Sequence, residues 1–447
     1  MKNLFSLLFI SLCASSGLAA EYLIRVNPHS FRSSAANVES VVKRTQSTVL
    51  KKYEIVPGLM RVNVSEKDAQ KTLEALKKEL GADYVVPNYV RRVNMGSPKP
   101  PKPKDVPAIP AFVPQPTTWK TDPKESLNYG TSDYQSGTRL VWKNYQAIGH
   151  PDTIIAVLDT GIDYTHPDLV ANLWRNPGET GVDSQNRPKE TNGVDDDENG
   201  YIDDVVGYDF AGKKSKPYDD HNHGTHVAGI AAAVGGNGVG IAGHCPRCSI
   251  MGLKFMGANG SGTDADAIEA IEYAVKMKAT VINSSWGSDE YNPALEDAFK
   301  AASQAGVLNV VAAGNDGKNL DLEGKAYPAE FKVPGLITVA ALYETSSSGM
   351  TPWSNYGRNS VHVSMGGADV YSTTPGNTYQ SMSGTSMASP GVAGCVGLIK
   401  SHYPHLSFDE LTSVMSRHIT SDQRSMSRTI WGGRLDMPEI FEELSKK

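Results

Sequence analysis

The chain has 447 residues, is 39% hydrophobic, contains 42 glycines and carries a net charge of −6. Its length suits about three domains of roughly 150 residues, and its apolar content excludes a wholly disordered chain. The charge is uneven: 17 Lys/Arg stand against 9 Asp/Glu through residue 118, and 26 against 40 thereafter. The acidic remainder argues against nucleic acid and suits cations or its own basic N-terminal part.

Residues 1–20 have the pattern of a signal peptide. Lys2 is followed by an apolar run from Leu4 to Leu12 and by small residues in Gly17-Leu18-Ala19-Ala20. Leu12 precedes Cys13, which does not fit a lipoprotein anchor, and no later apolar run reaches the ~18 residues of a membrane span. A secreted chain with no membrane anchor is expected, with a periplasmic location as the alternative.

Residues 21–95 form a small basic unit. Strands are expected at Tyr22 to Val26 and Gly58 to Val64, with a last one beginning at Tyr84. Helices are expected over Val38 to Leu50 and Ser65 to Leu80, the second stopped by Gly81. This β-α-β-β-α-β-like order predicts a small α+β domain. Residues 96–118 are rich in Pro and Lys, which predicts an extended, exposed, protease-accessible linker.

From 119 to 447 short apolar strands alternate with helices. Strands are expected at Ile154 to Leu158, Ile250 to Phe255, Val281-Ile282, Val307 to Ala312 and Leu336 to Ala341. Helices are expected at His223 to Val234, Asp264 to Met277, Pro293 to Ala305 and Ser386 to His402. Such alternation predicts an α/β fold with a mostly parallel, doubly wound sheet covered by helices on both faces. Ligands then bind beyond the carboxyl ends of the strands. Ser407-Phe408-Asp409-Glu410 has the pattern of a capping box.

Four Gly-flanked motifs fall at those ends. Asp159 closes Ile155-Ala156-Val157-Leu158-Asp159-Thr160-Gly161. His223 opens His223-Gly224-Thr225-His226. Asn315 ends Ala313-Gly314-Asn315, and Ser386 lies in Ser383-Gly384-Thr385-Ser386-Met387. Taken singly, each could be a turn or cap residue. Together they are the parts of acyl transfer: a serine nucleophile, a histidine base, a carboxylate to orient it, and donors for the oxyanion from an Asn amide and a helix N-terminus.

These motifs resemble those of the subtilisin-like serine peptidases, the subtilases, from about residue 125 to 437. The resemblance implies that Asp159, His223 and Ser386 are the triad and Asn315 the oxyanion-hole residue. It implies paired substrate-binding strands at Gly260-Ser261-Gly262 and Ser285-Trp286-Gly287, which would take an extended peptide as an added strand. Trp286 would wall a specificity pocket, and Asp316 would lie on its rim. Tyr327-Pro328 matches a dipeptide that is often cis. Gly391 departs from the family, which often has His there, so local repacking is expected. His226 is expected to be a packed structural histidine. Residues 21–95 resemble the inhibitor propeptides of the family. Tyr89 to Met95 would then lie in the cleft as a cleaved product does, with the first cut near Asn94 or Met95.

Two calcium sites are expected. Asp195, Asp197, Asn199, Tyr201 and Asp203 have the spacing of ligand positions 1, 3, 5, 7 and 9 of an EF-hand-type loop, with Gly200 at position 6 and no Glu at position 12. The second follows from the resemblance: Asp168 together with the loop Val234 to Ile241, whose Val234, Asn237, Val239 and Ile241 would supply oxygens. Cys245 and Cys248 lack the second pair a zinc site needs; in an exported protein they suit a local disulfide, with Cys395 a buried thiol.

The expectation is therefore a secreted, monomeric serine endopeptidase acting on proteins or peptides, made as a self-processing zymogen inhibited by its own propeptide. Two other classes compete: a peptide-binding pseudoenzyme, and a metal-dependent hydrolase using His221, His223 and His226.

Overall fold

Strands with apolar side chains on both faces must be covered on both faces, and the larger unit of the chain is built on that requirement. The computed structural model describes residues 20–29, 35–65, 69–93, 106–127, 129–132, 135–343, 349–421 and 425–446. Residues 1–19 of the signal peptide expected over 1–20, and the expected cleavage positions Asn94 and Met95, lie outside them. The chain divides into two units, residues 1–88 and 89–447.

The larger unit holds a nine-stranded sheet. Its order is Ile419–Ser421, Gly433–Leu435, Val363–Gly366, Leu336–Leu342, Leu308–Ala312, Val281–Ser284, Ile154–Asp159, Ser249–Lys254 and Gly207–Asp209. Neighbours pair in parallel except the first two, which are antiparallel. All five expected strands are central members. The short edge strands and the hairpin of Val370–Thr374 with Thr378–Met382 are additional.

Four helices cover the sheet: His223–Ala232 packs on Thr385–His402, and Asp264–Lys276 on Pro293–Gln304. Their ends follow local chemistry. The Thr263 side chain caps the third, with Asp264 and Asp266 in its first turn, and Asn292 caps the fourth, with Pro293 at its start. The capping box of Ser407 and Glu410 is formed. Ile155, Val157, Val227, Ala388 and Val392 share one apolar core. Among the described residues no helix is long and apolar enough to cross a membrane.

The smaller unit is a four-stranded antiparallel sheet, Thr48–Lys52, Leu59–Val64, Ala20–Val26 and Ala82–Pro87 in that order, with helices Ala35–Arg44 and Ala69–Leu80. Ile24, Val41, Val62, Leu76 and Leu80 form its core. The helix expected to run to Leu50 ends at Arg44, and Thr48–Lys52 is a strand. Gln46 has φ 54°, and the β-branched Thr48-Val49 favours the extended chain.

Tyr89 to Val93 group with the larger unit, as expected of a segment lying along it. Residues 106–118 are mostly exposed and lack helix or strand, as expected of the linker, and they are also fastened to the larger unit: the Tyr164 hydroxyl donates to the Pro107 carbonyl at 2.8 Å, and Gln115 Nε2 to Asn172 at 2.8 Å and to the Arg247 carbonyl at 3.0 Å. A composition rich in proline sets the backbone shape, not what it lies against.

Candidate active site

The strand Ile154–Asp159 delivers Asp159 to its carboxyl end, fully buried. One oxygen, Oδ1, accepts the Thr160 N–H at 2.7 Å and lies 2.8 Å from His223 Nδ1. An acceptor at that distance fixes the proton on Nδ1 and leaves the Nε2 lone pair free to act as a base. Nε2 is buried and has no hydrogen-bond partner.

Ser386 sits in the first turn of helix Thr385–His402 and donates its hydroxyl to the Ser285 carbonyl at 3.0 Å. The Ser285 side chain holds that helix start, donating to the Ser386 carbonyl at 3.0 Å and contacting Ser389 Oγ at 2.8 Å. Asn315 is oriented by Thr385, whose N–H and hydroxyl both donate to Asn315 Oδ1, at 2.8 and 2.9 Å. The amide oxygen accepts both bonds, so the donors of this side chain lie on its Nδ2 end. Ser386 N–H adds a first-turn donor at the positive end of a helix.

Ser386, Thr385 and Asn315 border a cavity of about 470 Å³ also lined by Trp286, Gly314 and Asp316. Trp286 is buried, donating Nε1–H to the Leu158 carbonyl at 2.9 Å and packing edge-on to Phe255. The Asp316 carboxylate is part-exposed and 4.0 Å from Lys318 Nζ. The Tyr327–Pro328 peptide is cis.

The two glycine segments flank one extended strand, residues 90–93. Val90–Arg92 pairs antiparallel with Ser261–Thr263. Arg92 exchanges backbone hydrogen bonds with Gly287 at 3.2 and 3.3 Å, and Val93 N–H donates to the Gly260 carbonyl at 3.0 Å. Gly260 has φ +69°, and a Cβ there would stand 2.7 Å from Val93 Cγ2, so the close approach requires glycine.

Sequence reasoning missed Asp219. Its buried carboxylate accepts from Thr160 Oγ1 (2.9 Å), His221 N (2.9 Å), Asn222 N (3.0 Å), Thr225 N (2.9 Å) and Thr225 Oγ1 (2.6 Å). It joins the residue after Asp159 to the helix start that carries His223. Its position four residues before His223 was the only available signal. His221 and His226 do not converge with His223 on a metal. His226 Nε2 bonds the Gln380 carbonyl at 3.0 Å, and burial pushes its imidazole down to about 3, as a packed neutral histidine requires. The repacking at Gly391 has a definite agent: His244, whose Nε2 would be 3.2 Å from a Cβ at that position. His244 is buried, faces Thr138 Oγ1 at 3.1 Å and is pushed down to about 3 by burial. Cys245 and Cys248 are disulfide-bonded, and burial raises the Cys395 thiol to about 12.

In the acidic loop the carboxylates that converge are Asp197, Asp204 and Glu179, with one oxygen of each within 4.8 Å of the others. Asp195 instead accepts Asn199 N–H and Gly200 N–H, and Asp203 accepts Gly193 N–H. Tyr201 donates its hydroxyl to Glu269, while Asn199 Nδ2 reaches Asp197 at 3.2 Å and Asp204 at 2.9 Å. Glu179 is fully buried with Oε2 unpartnered, and burial, reinforced by the nearby Asp204 and Asp197 charges, raises its carboxyl to about 7. An oxygen-only, anionic donor set of this kind fits Ca²⁺. At the second expected site, Asp168 is buried and raised to about 7 by that burial; it accepts from Asn237 Nδ2 at 2.9 Å, Ile241 N at 2.8 Å and Tyr379 OH at 3.1 Å. Val239 N–H donates to Asn237 Oδ1 at 2.6 Å, and Val234 N–H to the Asp168 carbonyl at 2.8 Å. A second carboxylate, Asp122, which the sequence did not flag, accepts from Gly236 N and Gly238 N of the same loop at 2.7 and 2.9 Å. Every oxygen of these two carboxylates already accepts a protein N–H or O–H, so a cation here would share them with those donors.

A model of the subtilase family matches residues 150–432. The chain is 32% identical over 304 residues to Subtilisin-like protease 1 of Plasmodium berghei, covering 64% of this chain and 49% of that protein. It is 38% identical over 271 residues to the thermophilic serine proteinase of Bacillus sp. strain AK1, covering 60% and 58%. Against thermitase of Thermoactinomyces vulgaris it is 34% identical over 283 residues, covering 63% and 86%. The chain spans about half the length of the first two curated relatives it matches, both named Subtilisin-like protease 1.

Proposed function

Because the chain belongs to the subtilase family, we propose that it is a secreted, monomeric serine endopeptidase, made as a self-processing zymogen and stabilised by calcium. The reading is carried by the buried Asp159–His223 pair, whose Nε2 has no partner among the described residues, together with the cleft that Ser386 and Asn315 line.

The chemistry follows from those groups. Ser386 turns its hydroxyl from the Ser285 carbonyl to His223 Nε2, which takes the proton as Oγ attacks the peptide carbonyl. Asp159 holds Nδ1–H and stabilises the imidazolium. Asn315 Nδ2–H and Ser386 N–H receive the negative charge on the substrate oxygen. His223 then protonates the leaving amine, and water repeats the sequence on the acyl-enzyme. The pseudoenzyme reading is disfavoured because no triad member is missing. The zinc-hydrolase reading is disfavoured because no histidine belongs to a metal-capable cluster among the described residues.

The zymogen reading rests on residues 90–93, which run along Gly260 to Gly262 and Gly287 as a substrate would. The calcium reading rests on Glu179, Asp197 and Asp204, and on Asp122, Asp168 and Asn237; bound there, the ion would supply charge neutralisation and cross-links between loops. The deciding experiment is Ser386→Ala in the full chain. It should abolish both peptide hydrolysis and self-processing, and wild-type hydrolysis should be blocked by a serine-reactive phosphonate but not by phenanthroline. Efficient self-maturation of the alanine variant in the absence of other proteases would overturn the reading.

A further inference from the structure

Of the side chains from Tyr89 to Arg92 in the cleft strand, only Arg91 is buried, with no exposed surface at all. Four hydrogen bonds hold its guanidinium. Nε donates to Asp264 Oδ1 at 2.5 Å and Nη2 to Asp264 Oδ2 at 2.8 Å, the bidentate fork that arginine makes and lysine cannot. Nη1 donates to Ser288 Oγ at 2.5 Å and to the Glu290 carbonyl at 2.8 Å. Asp264 is itself fully buried, opens helix Asp264–Lys276, and accepts a further bond from Asn292 Nδ2 at 2.7 Å. A carboxylate taken this far out of water needs a cation. In this strand the cation comes from the chain lying in the cleft, not from the walls.

The register gives the position of that seat relative to the bond cut. Residue 92 pairs antiparallel with Gly287, so a strand continued by two residues faces Ser285. The Ser285 carbonyl is where Ser386 Oγ rests, 3.0 Å away. The residue opposite Ser285 is therefore the one whose carbonyl the serine attacks, and the seat held by Arg91 is three residues before it.

We propose that Asp264, with Asn292, Ser288 and the Glu290 carbonyl, forms an arginine-selecting subsite, so that this peptidase acts on polypeptides carrying arginine at the fourth position upstream of the scissile bond. This rests on the peptidase reading above. The same site explains how the chain's own segment occupies the cleft: Arg91 presents to it the side chain its substrates present. Leucine or alanine in this seat leaves the Asp264 carboxylate buried and unpaired, which penalises the wrong residue more than any contact rewards the right one.

The test uses full-length protein expressed and allowed to activate, its active sites counted by phosphonate titration. Substrates are the octapeptide Tyr-Val-Arg-Arg-Val-Asn-Met-Gly, corresponding to residues 89–96, and versions with Lys, citrulline or Leu replacing the first arginine or the second. Cut positions are read by mass spectrometry. Leu or citrulline at the first arginine should lower kcat/KM by on the order of 10²-fold or more, and Lys by roughly 10-fold. The same changes at the second arginine, whose side chain is exposed, should cost less than about 5-fold. Asp264→Asn should compress the Arg-to-Leu ratio by at least about 10-fold. Hydrolysis of casein with the Leu peptide cut within about 3-fold of the Arg peptide by the wild-type protein overturns the subsite alone. Absence of both casein and peptide hydrolysis overturns the peptidase reading, and the subsite with it.

Discussion

Asp219 offers the sharpest test of how the base is positioned. Replacing it with Asn keeps the volume and removes the charge. The amide oxygen can face Thr160, His221 and Asn222, but the NH2 then points at Thr225, whose N–H donates to Asp219 at 2.9 Å. The Thr225 hydroxyl cannot simply turn round to compensate, because its oxygen already accepts the Asp163 N–H at 3.0 Å. One buried N–H is left without an acceptor, at about 1–3 kcal/mol, and the remaining bonds lose their charge assistance. The total is on the order of 3–5 kcal/mol, a large share of a stability of roughly 5–15 kcal/mol. The rate should fall too: Gly224 N–H donates to Thr160 Oγ1 at 2.9 Å, and Thr160 Oγ1 in turn donates to Asp219, so loosening the carboxylate lets His223 drift from Asp159. A misplacement of about 1 Å can cost roughly 10²-fold in rate. Urea unfolding read by fluorescence gives the first quantity, and kcat on a peptide substrate gives the second. A variant within about 0.5 kcal/mol of wild type and equally active would refute this account of Asp219.

Three further outcomes are expected. Chelating calcium with EGTA should lower the thermal midpoint, by about 2.7 kcal/mol of lost stabilisation if the ion had been at 100 times its Kd; Glu179→Gln should shrink that shift, and an unchanged midpoint with no metal on elemental analysis would dispose of both sites. His226 and His244, at about 3, and His362, at about 4, are held below the usual value near 6.5 by burial, so the unfolded chain binds more protons and stability is lost as pH falls below about 6.5. With calcium in excess, the unfolding free energy from urea titrations between pH 7 and 5 should decline by up to about 1.4 kcal/mol per pH unit for each of the three, and a flat profile would contradict their neutrality. Gly391→His should destabilise by about 1–3 kcal/mol, because a Cβ there meets Met365 Cγ at 3.0 Å and His244 Nε2 at 3.2 Å; adding His244→Ala should recover most of the loss, whereas additive losses in the double variant would show that the two positions do not share one space.

The elements legible in the sequence are those whose cause is local. Ile154–Asp159 announces itself by an unbroken apolar run, and helix Phe408–Arg417 by the Ser407/Glu410 box. The triad was legible because each member sits at a strand end or helix start, within a glycine-flanked motif of its own. Gly207–Asp209 and Gly433–Leu435, three residues each, carry too little pattern to be read and exist because a neighbour's edge is there to pair with. The acidic loop was legible as a calcium-type spacing, but spacing fixed the wrong emphasis. Glu179, 18 residues before Asp197, supplies the buried unpartnered oxygen, while Asp195 and Asp203 spend theirs on their own loop's N–H groups.

What stayed hidden has a common physical form: a buried polar group whose partner is far away in sequence. Arg91 and Asp264 are 173 residues apart, and nothing near either one indicates the other. The sequence places Arg91 in the segment Tyr89 to Met95 expected in the cleft but assigns its side chain no partner, and it gives Asp264 only as the start of the helix Asp264 to Met277, where an acid suits the dipole. Only burial separates Arg91 from the exposed Arg92 beside it. Burial also changes the energetics: an exposed pair would contribute at most about 1 kcal/mol, whereas a desolvated carboxylate discriminates strongly against any occupant without a matching charge. His244 and Gly391 follow the same logic in packing terms, since the glycine is legible as a departure but the imidazole that takes up its space comes from a distant loop. Where the proposed reaction rests on locally readable motifs, selectivity is therefore to be sought in the long-range buried contacts, and Asp264 makes such a contact with the strand lying along Ser261–Thr263.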